Sequence, residues 1–241
     1  GLPEKNLLIG NALIDMYAKC GVPRNAQKVL EELLVRDVVS WSALISGYTQ
    51  LGQDHKALKC FQRMQSEGLS PDVVSFICIV KACGNSVAIE TGKLIHDEIS
   101  TKGLVGKDVI LGSALIGMYA KFGMLRKAKQ VLQELPVRDV YSWSALISGY
   151  TQQLQCYEAL NCFKLMQDEG FSPNAVTFVC ILNACGSLRA ASKGQEIHAD
   201  IIKEGLLNRN ILVGNALVDM YAKCGALAKA KEVFDELPVR D

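Results

Sequence analysis

The chain has 241 residues, 49% of them hydrophobic, and 26 Lys and Arg set against 25 Asp and Glu leave a formal charge of +1. So balanced a charge excludes nucleic-acid binding by bulk electrostatics, which needs many cations opposed to phosphates, although it leaves a locally basic groove open. No apolar run approaches the roughly 20 residues of a membrane helix and no secretory signal opens the chain, so the composition predicts a chain folded around a large core.

The first six residues, GLPEKN, match GLVGKD at 103–108 and GLLNRN at 205–210, so the sequence is expected to open inside a repeat. LIGNALIDMYAKCG (Leu8 to Gly21) follows, and it returns as ILGSALIGMYAKFG from Ile110 and LVGNALVDMYAKCG from Leu212. Next comes SWSALISGYTQ (Ser40 to Gln50), repeated without a change from Ser142. A third block, VVSFICIVKACG from Val73, is echoed by AVTFVCILNACG from Ala175. The unit therefore recurs every 102 residues and contains three unequal modules of 31, 35 and 36 residues. Such self-similarity marks a stacked array in which each unit buries its apolar face against its neighbours.

Each module predicts two helices. Trp41, Leu44, Ile45 and Tyr48 recur at three- and four-residue steps on one face of a first helix, and Gly52 interrupts the pattern. Ala57, Leu58, Phe61 and Met64 continue it on a second helix that ends at Gly68 and Ser70-Pro71. The small residues Ala43 and Gly47 leave room for a neighbouring helix. The expected fold is all-α: helix-turn-helix hairpins stacked into an α-solenoid superhelix whose hand the sequence leaves open, with first helices lining one surface.

Modules of 31, 35 and 36 residues carrying these blocks resemble pentatricopeptide repeats of the PLS subclass, over essentially the whole chain. In family terms residues 1–6 are the tail of a truncated L-type repeat. Residues 7–37, 109–139 and 211–241 resemble S-type repeats, 38–72 and 140–174 P-type, and 73–108 and 175–210 L-type. The resemblance implies single-stranded RNA binding in a chloroplast or mitochondrion of a plant, mostly for C-to-U editing. It also implies that accessory editing proteins use the L-type faces and that any deaminase domain lies outside this segment. It implies no cofactor, no membrane and no small-molecule substrate.

In that family the fifth and last residues of a module face one base. An aspartate only accepts and suits the imino N–H of U or G, whereas an asparagine donates and suits A or C. A fifth-position serine leaves room for a purine; an asparagine reaches a pyrimidine. On this basis Asn11 with Asp37 reads U, Ser42 with Asp72 reads G, and Ser113 with Asp139 reads G. Ser144 with Asn174 reads A, and Asn215 with Asp241 reads U. The L-type positions stay unread, because Ile77 and Val179 leave Asp108 and Asn210 without a polar partner, and Asn6 belongs to the truncated repeat. The expected preference is 5′-U-G-N-G-A-N-U-3′. The resemblance also implies that the second residues, Leu8, Val39, Val74, Ile110, Tyr141, Val176 and Leu212, clamp bases. Lys19, Lys121 and Lys223 meet phosphates.

All of these residues also have a purely structural use. Asp and Asn at module ends are what helix N-caps require, apolar second residues can pack between hairpins, and a lysine near a helix end is favoured by the dipole. A tetratricopeptide-like scaffold for proteins is therefore the alternative reading. The nine cysteines include no Cys-x-x-Cys and suit buried free thiols. His96-Asp97-Glu98 matches half of a zinc deaminase signature but lacks the Pro-Cys-x-x-Cys half, so no catalysis and no metal are expected.

Overall fold

The computed structural model describes the backbone of residues 2–207 and 209–237 and the side chains from Asn6 onward, with residue 208 left out. Among the described residues there are fourteen α-helices and no strand. In chain order they are α1 (Leu2–Lys19), α2 (Pro23–Glu32), α3 (Val38–Gln50), α4 (Asp54–Ser66), α5 (Val73–Ser86), α6 (Ile89–Thr101) and α7 (Val109–Lys121). The second half adds α8 (Leu125–Glu134), α9 (Val140–Gln152), α10 (Cys156–Asp168), α11 (Ala175–Leu188), α12 (Ala191–Lys203), α13 (Ile211–Lys223) and α14 (Leu227–Glu236).

Two compact units emerge, one of Gly1–Phe122 with Gln133–Pro136, the other of Gly123–Leu132 with Val137–Asp241. In the first unit α1, α3, α5 and α7 pack in succession, while α2 and α4 each wedge against the next first helix. In the second, α9, α11 and α13 repeat that row, and α10 and α12 do the wedging. Each unit is thus a stack of helix hairpins, the all-α solenoid class that the periodicity predicts.

The apolar spacing explains the packing. Trp41, Leu44, Ile45 and Tyr48 are all buried on α3, and Ala57, Phe61 and Met64 on α4. Gly47 is the point of closest approach to α1: a Cβ there would lie 2.7 Å from Ala18 Cβ, so glycine is required. The chain turns out of α4 at Gly68, whose φ of +79° suits a residue without a Cβ.

Two local features differ between the repeated copies. The segment matching a loop at 103–108 is helical at the chain's start, where α1 runs unbroken through Asn6. In the later copy a preceding helix anchors the segment, since Leu104 N donates to Ile99 O at 3.1 Å. A proline in the first turn of α1 is compatible with helix.

The other difference is Leu154, which stands where the earlier copy has Gly52. Gly52 has φ +65°, and Leu154 is forced to +56°. That conformation costs an L-residue about 1 kcal/mol or more, and Leu154, 78% exposed, recovers little of it by burial. Leu154→Gly is therefore expected to stabilise the protein by roughly 1 kcal/mol, read as a rise in the urea midpoint at unchanged slope.

Candidate nucleic-acid interface

The last residue of each module starts the first helix of the next. Asp37, Asp72, Asp108, Asp139, Asn174 and Asn210 are the N-caps of α3, α5, α7, α9, α11 and α13, and each side chain accepts a backbone N–H of the first turn. The second helices α2, α4, α6, α10, α12 and α14 have no side-chain cap. Capping is thus a real duty of these positions, worth about 1 kcal/mol each. Asp241 lies outside the described residues. Asn6, exposed and inside α1, caps nothing.

Fifth and last residues meet in three of the modules, twice directly and once through a hydroxyl. Asn11 Nδ2 donates to Asp37 Oδ1 and Oδ2, both at 3.2 Å, and Asn11 Oδ1 is shielded with no hydrogen bond of its own. Ser42 Oγ lies 3.0 Å from Asp72 Oδ1 and 2.7 Å from its own α3 carbonyl at Val38. Ser144 reaches Asn174 indirectly: its Oγ is 2.7 Å from Thr177 Oγ1, which is 3.0 Å from Asn174 Oδ1.

Exposure divides the set. Asn11 and Ser113 are half-buried and Asn215 is exposed, whereas Ser42 and Ser144 are only 5% exposed. A serine so enclosed acts on a base through its neighbours. Ile77 and Val179, half-buried, bring no polar group to Asp108 or Asn210. Asp108 accepts from Leu111 N at 2.8 Å, and Asn210 from Leu212 N and Val213 N.

The second residues behave uniformly. Leu8, Val39, Val74, Ile110, Tyr141, Val176 and Leu212 are all 53–71% exposed, so packing between hairpins does not explain them. Each stands in the first turn of a first helix or, for Leu8, in the body of α1. In both units an apolar side chain therefore sits in water within a turn of a capping carboxylate or amide. Exposed aliphatic surface is ordinary when scattered; here it recurs at one register position.

The lysines are partly engaged. Lys19 and Lys223 pair with Asp15 and Asp219 one turn back, at 2.6 Å each, and Lys121 donates to Asn85 Oδ1. Half or more of the Lys19 and Lys223 side chains remains in water, where such pairs are worth little and exchange readily.

The remaining chemistry-bearing residues belong to the scaffold. Burial pushes Cys60, Cys162 and Cys185 up to about 11 and Cys83 up to about 12, so these thiols stay protonated and unreactive at neutral pH. His96 Nδ1 lies 2.7 Å from Tyr119 Oη and His198 Nδ1 3.0 Å from Tyr221 Oη, each ring edge-on to its tyrosine. Burial holds His198 below the usual histidine pKa. Glu98 is occupied by Lys102, 3.1 Å away, and by Gln65, so His96 and Glu98 serve different neighbours. Among the described residues no group of three or more His, Cys, Asp or Glu is placed to hold a metal, and no helix is long and apolar enough to cross a membrane.

Sequence reasoning missed one set of residues, the hydroxyls at the third position. Ser40, Ser75, Ser142 and Thr177 are fully buried and bond back to the preceding cap. The signal was present as Ser or Thr three residues after Asp or Asn, the spacing of a capping box.

A model described as the PPR repeat family matches residues 36–85 and 138–187, and one described as the PPR repeat matches 11–38, 113–140 and 215–241. Between them they take in well over half of the sequence. The chain belongs to the pentatricopeptide repeat family. Among curated relatives, a chloroplastic pentatricopeptide repeat-containing protein of Arabidopsis thaliana is 37% identical over 99% of this chain. A mitochondrial one from the same plant is 33% identical, also over 99%. The chain spans only 38% and 42% of those two relatives. The crystal structure of the pentatricopeptide repeat protein PPR10 in complex with an 18-nt psaJ RNA element superposes with a TM-score of 0.68 at 17% identity. That match covers 94% of this chain and 32% of PPR10, and it carries the pentatricopeptide fold alone.

Proposed function

We propose that this pentatricopeptide repeat segment binds single-stranded RNA with base selectivity, in a plant chloroplast or mitochondrion. The observation that carries the proposal is the recurrence, within each unit, of exposed apolar second residues beside the fifth and last residues of the modules. Side chains kept in water at a fixed register suit sandwiching bases, whose faces are apolar whatever the sequence. The polar atoms beside them suit the base edges. A pentatricopeptide protein crystallised with RNA and relatives named chloroplastic and mitochondrial support the partner and the compartment.

The finer reading is a PLS-type array preferring 5′-U-G-N-G-A-N-U-3′, with Asp37, Asp72, Asp139 and Asp241 accepting from U or G and Asn174 donating to A. The mixed 31-, 35- and 36-residue period supports the subclass. Positioning a transcript for C-to-U editing, with accessory proteins on the L-type faces, accords with it. A mobility-shift comparison of 5′-UGAGAAU-3′ RNA, a scrambled RNA and the DNA equivalent tests this. Retention of the first alone supports it; equal retention of all three, or of none, favours a protein scaffold.

Phosphate neutralisation is expected to be sparse. Three lysines, two of them already paired with aspartates, give a slope of log K against log salt no steeper than about −2, from roughly −0.7 per phosphate on single strands. A slope near −5 in a salt titration would mean that other cations carry the backbone.

A further inference from the structure

Around the last residues of the two P-type modules, the hydrogen bonds converge on one atom. Asp72 Oδ1 accepts from Ser75 N at 2.8 Å and Ser75 Oγ at 2.6 Å, and Ser42 Oγ stands 3.0 Å from it, with its one proton also facing Val38 O at 2.7 Å. Asn174 Oδ1 accepts from Thr177 N at 2.9 Å and Thr177 Oγ1 at 3.0 Å. The other terminal atom of each group, Asp72 Oδ2 or Asn174 Nδ2, is by planar geometry turned away from the cap. Amide orientation is ordinarily ambiguous, but here the Thr177 backbone N–H, which can only donate, settles it at 2.9 Å from Oδ1. A flipped Asn174 would set its NH2 against the Thr177 N–H.

The same hydroxyls touch the fifth residues. Ser42 Oγ lies 2.6 Å from Ser75 Oγ, and Ser144 Oγ lies 2.7 Å from Thr177 Oγ1. Ser75 and Thr177 are fully buried and the two serines nearly so, so no base reaches any of these four hydroxyls. Each of the two P-type modules thus contains a relay of fifth serine, third hydroxyl of the following module and last residue, in which the serine also touches the carbonyl four residues back, Val38 O at 2.7 Å or Val140 O at 2.6 Å. Chains of this kind polarise their members, and a carbonyl loaded from behind makes its own N–H a better donor. The L-type modules lack the relay. Their fifth residues are Ile77 and Val179, and the third residues that follow are Leu111 and Val213.

We propose that Ser75 and Thr177 are positioning residues for base selection, holding the last residue so that a single atom faces the RNA, and that Ser42 and Ser144 act through them. This rests on the base-reading function above and adds a third determinant, located in the neighbouring module. It also moves the serine's part from making room for a purine to orienting the group that reads it.

The test uses the whole chain and 5′-UGAGXAU-3′ RNA with each base at X, followed by fluorescence anisotropy, with wild type, T177V and T177S compared. Valine keeps the shape of threonine and removes the hydroxyl; serine restores it. The preference for A over C, G and U is expected to shrink about fivefold in T177V, the weight of one net hydrogen bond, and to return in T177S. S75A and S75T, probed at the second base for G over A, carry the same expectation in the other unit and keep the test decisive should T177V not fold. Loss of a helix cap alone would lower the melting temperature and weaken all four RNAs alike. Unchanged base ratios in both T177V and S75A overturn the relay, whereas a wild-type protein indifferent to X overturns the base-reading function together with it.

Discussion

Replacing Asn174 with aspartate is expected to turn the preference at the fifth base from adenine to guanine, shifting the ratio of the two affinities by about thirtyfold, the equivalent of roughly 2 kcal/mol. Asn174 caps α11 through Oδ1, with Thr177 N and Oγ1 at 2.9 and 3.0 Å. Its Nδ2 is therefore the outward atom, a donor matched to the bare N1 of adenine. Aspartate caps as well as asparagine does, and Asp72 already does so 102 residues earlier with Ser75 at 2.8 and 2.6 Å. The helix start is thus preserved while the outward atom becomes an oxygen. That oxygen accepts the N1–H of guanine and faces adenine N1 lone pair to lone pair. Competition binding with the fifth base varied measures the change, with a melting curve to confirm equal folding. Asp72→Asn is expected to move the second base the opposite way, from G toward A. An unchanged ratio in both variants would reduce the module ends to helix caps.

Most of the solenoid was legible because a repeat exposes its own construction. The interval of 102 residues separates matching helices, α3 from α9 and α5 from α11, and the spacing of Trp41, Leu44, Ile45 and Tyr48 picked the face that the structure buries. Glycine marked the turns at Gly52 and Gly68, both with positive φ. Where the physics was not local the sequence was mute. Leu154 looked like any leucine, although its neighbours force it into a glycine's conformation. Ser42 and Ser144 have the same identity as half-buried Ser113, yet they are enclosed. Ser75 and Thr177, supplied from the next module, reach them, and no residue near Ser42 in sequence announces that contact.

The tyrosine at 141 separates the two uses of the second position. Helices α3 and α9 read VVSWSALISGYTQ and VYSWSALISGYTQ, so a single residue distinguishes them, and the structure leaves it in water. Val39 is 58% exposed and Tyr141 68%. Twelve residues packed in the same way have stayed identical, and an aromatic ring has replaced a valine only where nothing packs. A ring there costs the fold little and offers a flat face to a base. Stacking of that kind is worth about 1–3 kcal/mol per base when truncated to alanine. Tyr141→Ala is therefore expected to weaken binding of 5′-UGAGAAU-3′ by about tenfold or more, with the melting temperature unmoved and the choice of bases retained. Val39→Tyr is expected to tighten it. An affinity indifferent to both changes would mean that the exposed row waits for something other than a base, and a protein surface would then be its natural partner. The contrast with Asn174→Asp is the useful one, since stacking sets how tightly any base is held while the capping residue sets which base it is.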